Sequence, residues 1–147
     1  MARIKLEASG LRSARVKVRS LFSKGKKIQP ALKAAVIEVE KWVKRNFTRE
    51  GGMHEDASLK WKPLKASTVK QRRKGKGKGS AKILRDTGNL QLRWNRRIRN
   101  KEASLRSAVG YSKYHEEGTK HIPKRKIFPT ERQAIKIIEP IFKGHFK

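Results

Sequence analysis

The apolar positions change period along this chain. Between Ile28 and Phe47, the residues Leu32, Ala35, Val36, Val39, Trp42 and Val43 recur at three- and four-residue steps, the repeat of a helix with one buried stripe. Pro30 suits the first turn of such a helix, where no amide hydrogen is needed, and Gly51 and Gly52 close it. The spacing predicts a helix over 28–48. Residues 2–7, ARIKLE, alternate and predict a short strand, whereas 11–27 scatters Leu11, Val16, Val18, Leu21 and Phe22 among basic residues with no dominant period. Further on, residues 90–98 place Leu90, Leu92 and Trp94 on one face, and residues 103–111 place Ala103, Leu105, Ser107, Val109 and Tyr111 on one face. Alternation on both sides of Asn100-Lys101-Glu102 predicts a hairpin. Near the end, Thr130 and Gln133 have capping-box spacing ahead of an apolar stripe formed by Ile135, Ile138, Ile141 and Phe142, which predicts a second, shorter helix. Pro140, which lacks an amide hydrogen, is expected to bend or split it.

These elements define an α+β fold, a small antiparallel sheet packed against the long helix and the C-terminal helix. The polar run after Gly52 reads as a loop leading to WKPLKASTV. KQRRKGKGKGS, residues 70–80, combines six basic residues (Lys70, Arg72, Arg73, Lys74, Lys76 and Lys78) with three glycines, and reads as an extended basic loop that gains more from solvation than from packing. The expected organisation is a basic N-terminal arm, 1–27, followed by a single domain, 28–147. No internal repeat is visible.

Charge adds a constraint that periodicity does not give. Apolar and charged residues each make up 35% of the 147 residues, so one modest core must support a large polar surface. The formal net charge is +28 and the excess is positive in every third of the chain, a field that favours polyanions or acidic protein surfaces as partners. With no cysteine, disulfides and thiolate metal sites are excluded. The opening MARIKLEASGLRSARVKV has no apolar stretch of signal-peptide length and no segment approaches a membrane span, so a soluble protein made in the cytoplasm, with no membrane partner, is expected.

Candidate chemistry is sparse. His54, His115, His121 and His145, with Glu55, Asp56, Glu116 and Glu117, are the residues from which a catalytic or metal site could be drawn, but the spacing of His115 and His121 matches no usual zinc pattern. Packed or surface histidines are the simpler interpretation. GKGKG at 75–79 lacks the strand and the Lys-Ser/Thr ending of a phosphate loop, and scattered serines define no triad. The expected catalytic, cofactor and metal sets are therefore empty and the protein is expected not to be an enzyme. Nucleic-acid binding competes more seriously, because the basic loop with Trp42, Trp61 and Trp94 could supply phosphate contacts and stacking surfaces. Trp42 and Trp94, however, fall on apolar faces and are expected in the core. The residues that would meet an acidic partner are Lys70, Arg72, Arg73, Lys74, Lys76 and Lys78 of the loop, with Arg93 and Arg97 on the outward face of the first hairpin strand.

An ordered set of short motifs carries a resemblance. Phe47 at the end of the first helix is followed by Trp61, Pro63 and Leu64, then by Leu84, Thr87, Gly88 and Leu90, then by Val109 and Gly110. Tyr114, His115 and Gly118 come next, with Tyr111 as the alternative tyrosine, and then Ile122, Pro123, Arg125 and Phe128 before the terminal helix. In order and spacing, over roughly two-thirds of the chain, this resembles the phage virion morphogenesis family, the tail completion proteins of Mu-like phages and prophages. Physically the motif residues read as scaffold: Gly88 and Gly118 permit turns, Pro63 and Pro123 stiffen connections, and Trp61, Leu64 and Phe128 anchor them.

The resemblance implies a structural virion protein, made in the host cytoplasm and located in the neck or tail. It would act as a homo-oligomeric ring, hexameric by that resemblance, that caps the tail tube as a terminator or joins it to the head–tail connector. Packaged DNA is a further candidate partner. The alternative left open by the residues themselves is a basic nucleic-acid-binding protein, ribosome-associated or concerned with DNA packaging.

Overall fold

The computed structural model describes residues 4–8, 13–18, 27–74, 81–99 and 101–145. Four strands and five helices are described: β1 (Ile4–Ala8), β2 (Ser13–Val18), α1 (Gln29–Thr48), α2 (Ala66–Lys74), α3 (Asn89–Leu92), β3 (Trp94–Arg99), β4 (Glu102–Ser107), α4 (Ser112–Glu117) and α5 (Glu131–His145), with a short 3₁₀ turn at Ala57–Leu59. The strands form one antiparallel sheet in the order β1-β2-β4-β3. Helix α1 packs on β2, β3, β4 and α5, and α5 packs on β1, so the two long helices form a layer over the sheet. This is the expected α+β arrangement.

Helix α1 forms where the stripe predicts. Leu32, Ala35, Val36, Val39, Val43 and Phe47 are all buried on its sheet-facing side, and Pro30 stands in its first turn. Its end is set by backbone geometry: Glu50 and Gly51 both take positive φ, and the Gly51 amide donates to the Asn46 carbonyl at 2.9 Å. A Cβ on Gly51 would lie 2.6 Å from the Trp61 ring, so glycine is needed there for space as well as for conformation. The α5 capping box is also present. The Gln133 amide donates to Thr130 Oγ1 at 3.3 Å, and the Thr130 amide donates to Gln133 Oε1 at 3.3 Å.

In β4 the inward positions Ala103, Leu105 and Ser107 are buried, and register sets them opposite Ile98, Arg96 and Trp94. Arg96 therefore points at α1, where its Nε lies 2.9 Å from Glu40 Oε2. Positions 95, 97 and 99 fall on the other side and are exposed.

Four expectations are corrected. The hairpin is narrower than 90–98 with 103–111: Gly88, at φ +80, starts a helical turn that buries Leu90 and leaves Leu92 65% exposed. At the far end, Ser107 Oγ accepts from the Val109 amide at 3.2 Å, turning the chain out of the ladder and leaving Tyr111 exposed. The stretch 70–80 is not a loop throughout, because α2 continues to Lys74; Lys, Gln and Arg are good helix formers, and here propensity prevails over charge repulsion. Lys76 and Lys78 lie outside the described residues. Helix α5 runs through Pro140 without a break, and the exposed Pro140 occupies its last turns. Finally, residues 4–8 and 13–18, expected within the basic N-terminal arm, supply β1 and β2 of the same sheet.

Phe47 is fully buried and meets the Trp61 ring edge-on at 5.2 Å. Truncating Trp61 to alanine should therefore cost roughly 3–5 kcal/mol of stability, and Gly51→Ala should destabilise through the same contact and the positive φ. Thermal or urea unfolding measures both, and Gly144→Ala, which meets nothing within 4 Å, is the control.

Candidate functional site

The motif segments that are distant in sequence meet around one extended stretch, residues 122–128. That stretch belongs to no described strand, yet Arg125, Ile127, Phe128 and Pro129 are buried, so its polar backbone groups need partners from side chains. The Lys126 carbonyl accepts from Trp61 Nε1 at 2.9 Å and from Asn46 Nδ2 at 3.3 Å, and faces His54 Nε2 at 3.0 Å. Asn46 Nδ2 also donates to the Ile127 carbonyl at 3.2 Å. From the other side, the Ile127 and Phe128 amides both donate to Glu116 Oε2, and Lys126 Nζ lies 3.3 Å from Glu116 Oε1.

Arg125 ties the same stretch to the Trp-x-Pro-Leu segment. Its Nε and Nη2 donate to the Lys62 carbonyl at 3.1 and 3.0 Å, and its own amide donates to the His115 carbonyl at 2.7 Å. Burial pushes the Arg125 guanidinium below its usual range, with Arg72 adding to the effect. His54, on the loop after α1, is the hub of a second layer: Nδ1 faces Gln133 Oε1 at 3.3 Å, and Gln133 Nε2 donates to the Met53 carbonyl at 2.9 Å. This polar set of buried Asn46, His54 and Gln133 with half-buried Glu116 was not singled out as a unit from the sequence. For Asn46, one step before Phe47, and Gln133, beside Ala134, the usable signal was polarity at helical positions otherwise occupied by core residues; His54 and Glu116 carried no such signal.

The scaffold residues expected from the motifs divide by burial. Trp61, Leu84, Leu90, Arg125 and Phe128 are buried, Leu64, Gly88, Gly118 and Pro123 are half-buried, and Pro63 and Thr87 are exposed. A Cβ on Gly118 would lie 2.9 Å from the Lys124 amide nitrogen, so this glycine lets the 122–128 stretch fold back onto α4. Trp42 is buried against His54, and Trp94 is half-buried, its ring edge-on to Phe128 at 5.5 Å.

The expected partner-binding residues are not one cluster. Lys70 is exposed on α2; Arg72 is half-buried there and donates to the Lys82 carbonyl at 3.0 Å. Arg73 and Lys74 belong to the end of α2. Arg93 and Arg97 are exposed at and along β3, with Arg99 beside them, on an edge strand of the sheet. Among the described residues, no group of three or more His, Cys, Asp and Glu could hold a metal ion, and no helix is long and apolar enough to cross a membrane.

His115 stands apart electrostatically. Burial, with the positive fields of Arg125 and Arg72, lowers its pKa from the ordinary 6.5 to about 4. Because the folded value is the lower one, the unfolded chain takes up this proton first, so the contribution to stability is full above pH 6.5 and is lost as pH falls from about 6.5 towards 4. Unfolding followed across that window should show a shallower acid loss in His115→Gln than in the parent protein. An equal slope would mean that His115 is not shielded in the folded state. Arg125→Lys, which cannot reproduce the paired donation to the Lys62 carbonyl, should cost roughly 1–3 kcal/mol in the same assay.

The chain matches no protein-family model, and neither curated proteins nor solved structures contain a significant match to it.

Proposed function

We propose that this chain is a structural virion protein that completes a phage tail or the head–tail neck, assembling as a closed ring that caps the tail tube or joins it to the connector. One observation carries the reading. The residues on which the family resemblance rests, far apart in sequence, meet in one scaffold: Trp61 and Arg125 bind the 61–64 and 122–128 segments together, and Phe128 and Leu90 enter the same core. That is the expected disposition if the motifs maintain a shape rather than perform a reaction.

Such a scaffold presents surfaces, and the surface here is basic. Arg93, Arg97 and Arg99 line an exposed edge strand, and Lys70 stands out on α2. Exposed cations of this kind steer a subunit towards an acidic neighbour and set its orientation more than they add affinity. A ring built from one repeated interface is heterologous and closed, and it lets a subunit with a modest core bury further surface on assembly.

The same exposed arginines support a second reading, binding of nucleic-acid phosphates. The two readings separate in solution. Nuclease-treated protein should form a closed oligomer of one size, seen by light scattering and by electron microscopy, that persists as salt is raised. A monomer that binds duplex DNA with affinity falling steeply with salt would instead favour the nucleic-acid reading. Replacing Arg93, Arg97 and Arg99 together by Gln should leave the melting temperature unchanged and lower incorporation into particles; normal incorporation would remove the β3 edge from the docking surface.

A further inference from the structure

Helices α1 and α5 form one layer, on the side of the sheet that carries Ala103 and Leu105. The opposite face is open: Asn95, Arg97, Arg99 and Arg106, which alternate with the inward positions of β3 and β4, are all exposed. Register extends this face across β2 and β1, setting Lys17 opposite Glu102 and Lys5, and Arg15 opposite Ser104 and Glu7. Six cations thus share the face with two carboxylates, and its remaining positions are serine or asparagine. Successive cations on a strand stand about 7 Å apart, so the charge is spread over an area and can meet several anionic groups at once.

The composition of the face narrows its partner. A protein interface needs a desolvated centre, built from aromatic and aliphatic anchors with most charge at the rim. This face has no such anchor. Single-stranded nucleic acid is held largely by stacking its bases on aromatic side chains, and the face offers none of these either. The phosphate backbone of a duplex asks only for cations and hydrogen-bond donors. Four of the six cations are arginine, whose planar fork matches phosphate oxygens in pairs, and serine and asparagine between them add neutral donors.

We propose that the open face of the sheet binds the phosphate backbone of a nucleic-acid duplex without regard to sequence, with Arg97, Arg99 and Arg106 as its principal contacts. This rests on the nucleic-acid reading of the exposed arginines and deepens it, fixing the face that binds and the form of the ligand. It holds for a ring subunit and for a monomer alike, so its failure leaves the measurement of oligomeric state untouched.

The test is a fluorescence-anisotropy titration of labelled, mixed-sequence duplex DNA with the full chain over a range of salt. Two variants remove equal charge from opposite layers of the molecule. One carries Arg97→Gln, Arg99→Gln and Arg106→Gln on the open face, and the other carries Lys33→Gln, Lys41→Gln and Arg132→Gln on α1 and α5, all at exposed positions. Each phosphate contact contributes roughly 0.9 to the slope of log affinity against log salt, so the open-face variant should lose about 2–3 from the slope and at least about tenfold in affinity at about 0.1 M salt. The helix-layer variant should keep the parent slope. Equal losses in the two variants would mean that DNA reads only the general field of a +28 chain, and would overturn the proposal, as would a parent protein that does not bind. Tighter binding of the single strand than of the duplex would also overturn it. Polyglutamate bound as tightly as duplex at matched ionic strength would assign the face to an acidic protein instead. Thermal melting checks that the variants fold; should the open-face variant not fold, Arg97→Gln and Arg106→Gln singly decide, each lowering the slope by about 1 if the face binds and leaving it unchanged if it does not.

Discussion

The backbone of residues 122–128 has no ladder to satisfy it, and the rest of the molecule is arranged around that need. A buried carbonyl or amide left without a partner costs about as much as several good contacts provide. Here the partners come from four residues in three places: Asn46 near the end of α1, His54 and Trp61 on the connection after it, and Glu116 on α4. Because each donor or acceptor is fixed by its own element, the stretch in turn fixes where those elements sit. The Gly51 turn, which admits the Trp61 ring, and the Gly118 turn, which admits Lys124, are the two places where a side chain would obstruct this arrangement.

The same economy explains the distribution of charge. The acidic residues are few, and two are engaged within the fold: Glu40 meets Lys44 and Arg96, and Glu116 holds the 122–128 amides, while Glu55 pairs with Lys136 at the surface. Of the β3 cations, Arg96 is paired with Glu40, while Arg97 and Arg99 are exposed. The surface field is thus a consequence of how the interior is satisfied, as well as of composition. For the proposed ring subunit, this separates a rigid polar-clamped scaffold from an exposed basic surface that is free to meet neighbours.

Much of the fold was legible in the sequence. Helix α1 and the capping box of α5 were readable because a long stripe and a paired Thr130–Gln133 signal leave few alternatives. The ends of the hairpin were not, since Leu90 and Leu92 satisfy a two-residue repeat and one helical turn alike until the Gly88 turn is known. Helix α2 was misread because charge was weighed above helix propensity, and β2 because its alternation is diluted by basic residues. Of the candidate site, Trp61, Arg125 and Phe128 were visible as motif members. Their joint purpose was not, because it depends on backbone carbonyls that no sequence pattern displays.

Native-state hydrogen exchange at the Ile127 and Phe128 amides tests the central claim most directly. If Glu116 and the side chains around Lys126 clamp this stretch into the core, both amides exchange as slowly as the protected amides of β4 and α1, and Glu116→Gln accelerates them while α1 remains protected. Exchange at the rate of a solvent-exposed loop in the parent protein would contradict the account, since the stretch on which the scaffold depends would then be held by something else or not held at all.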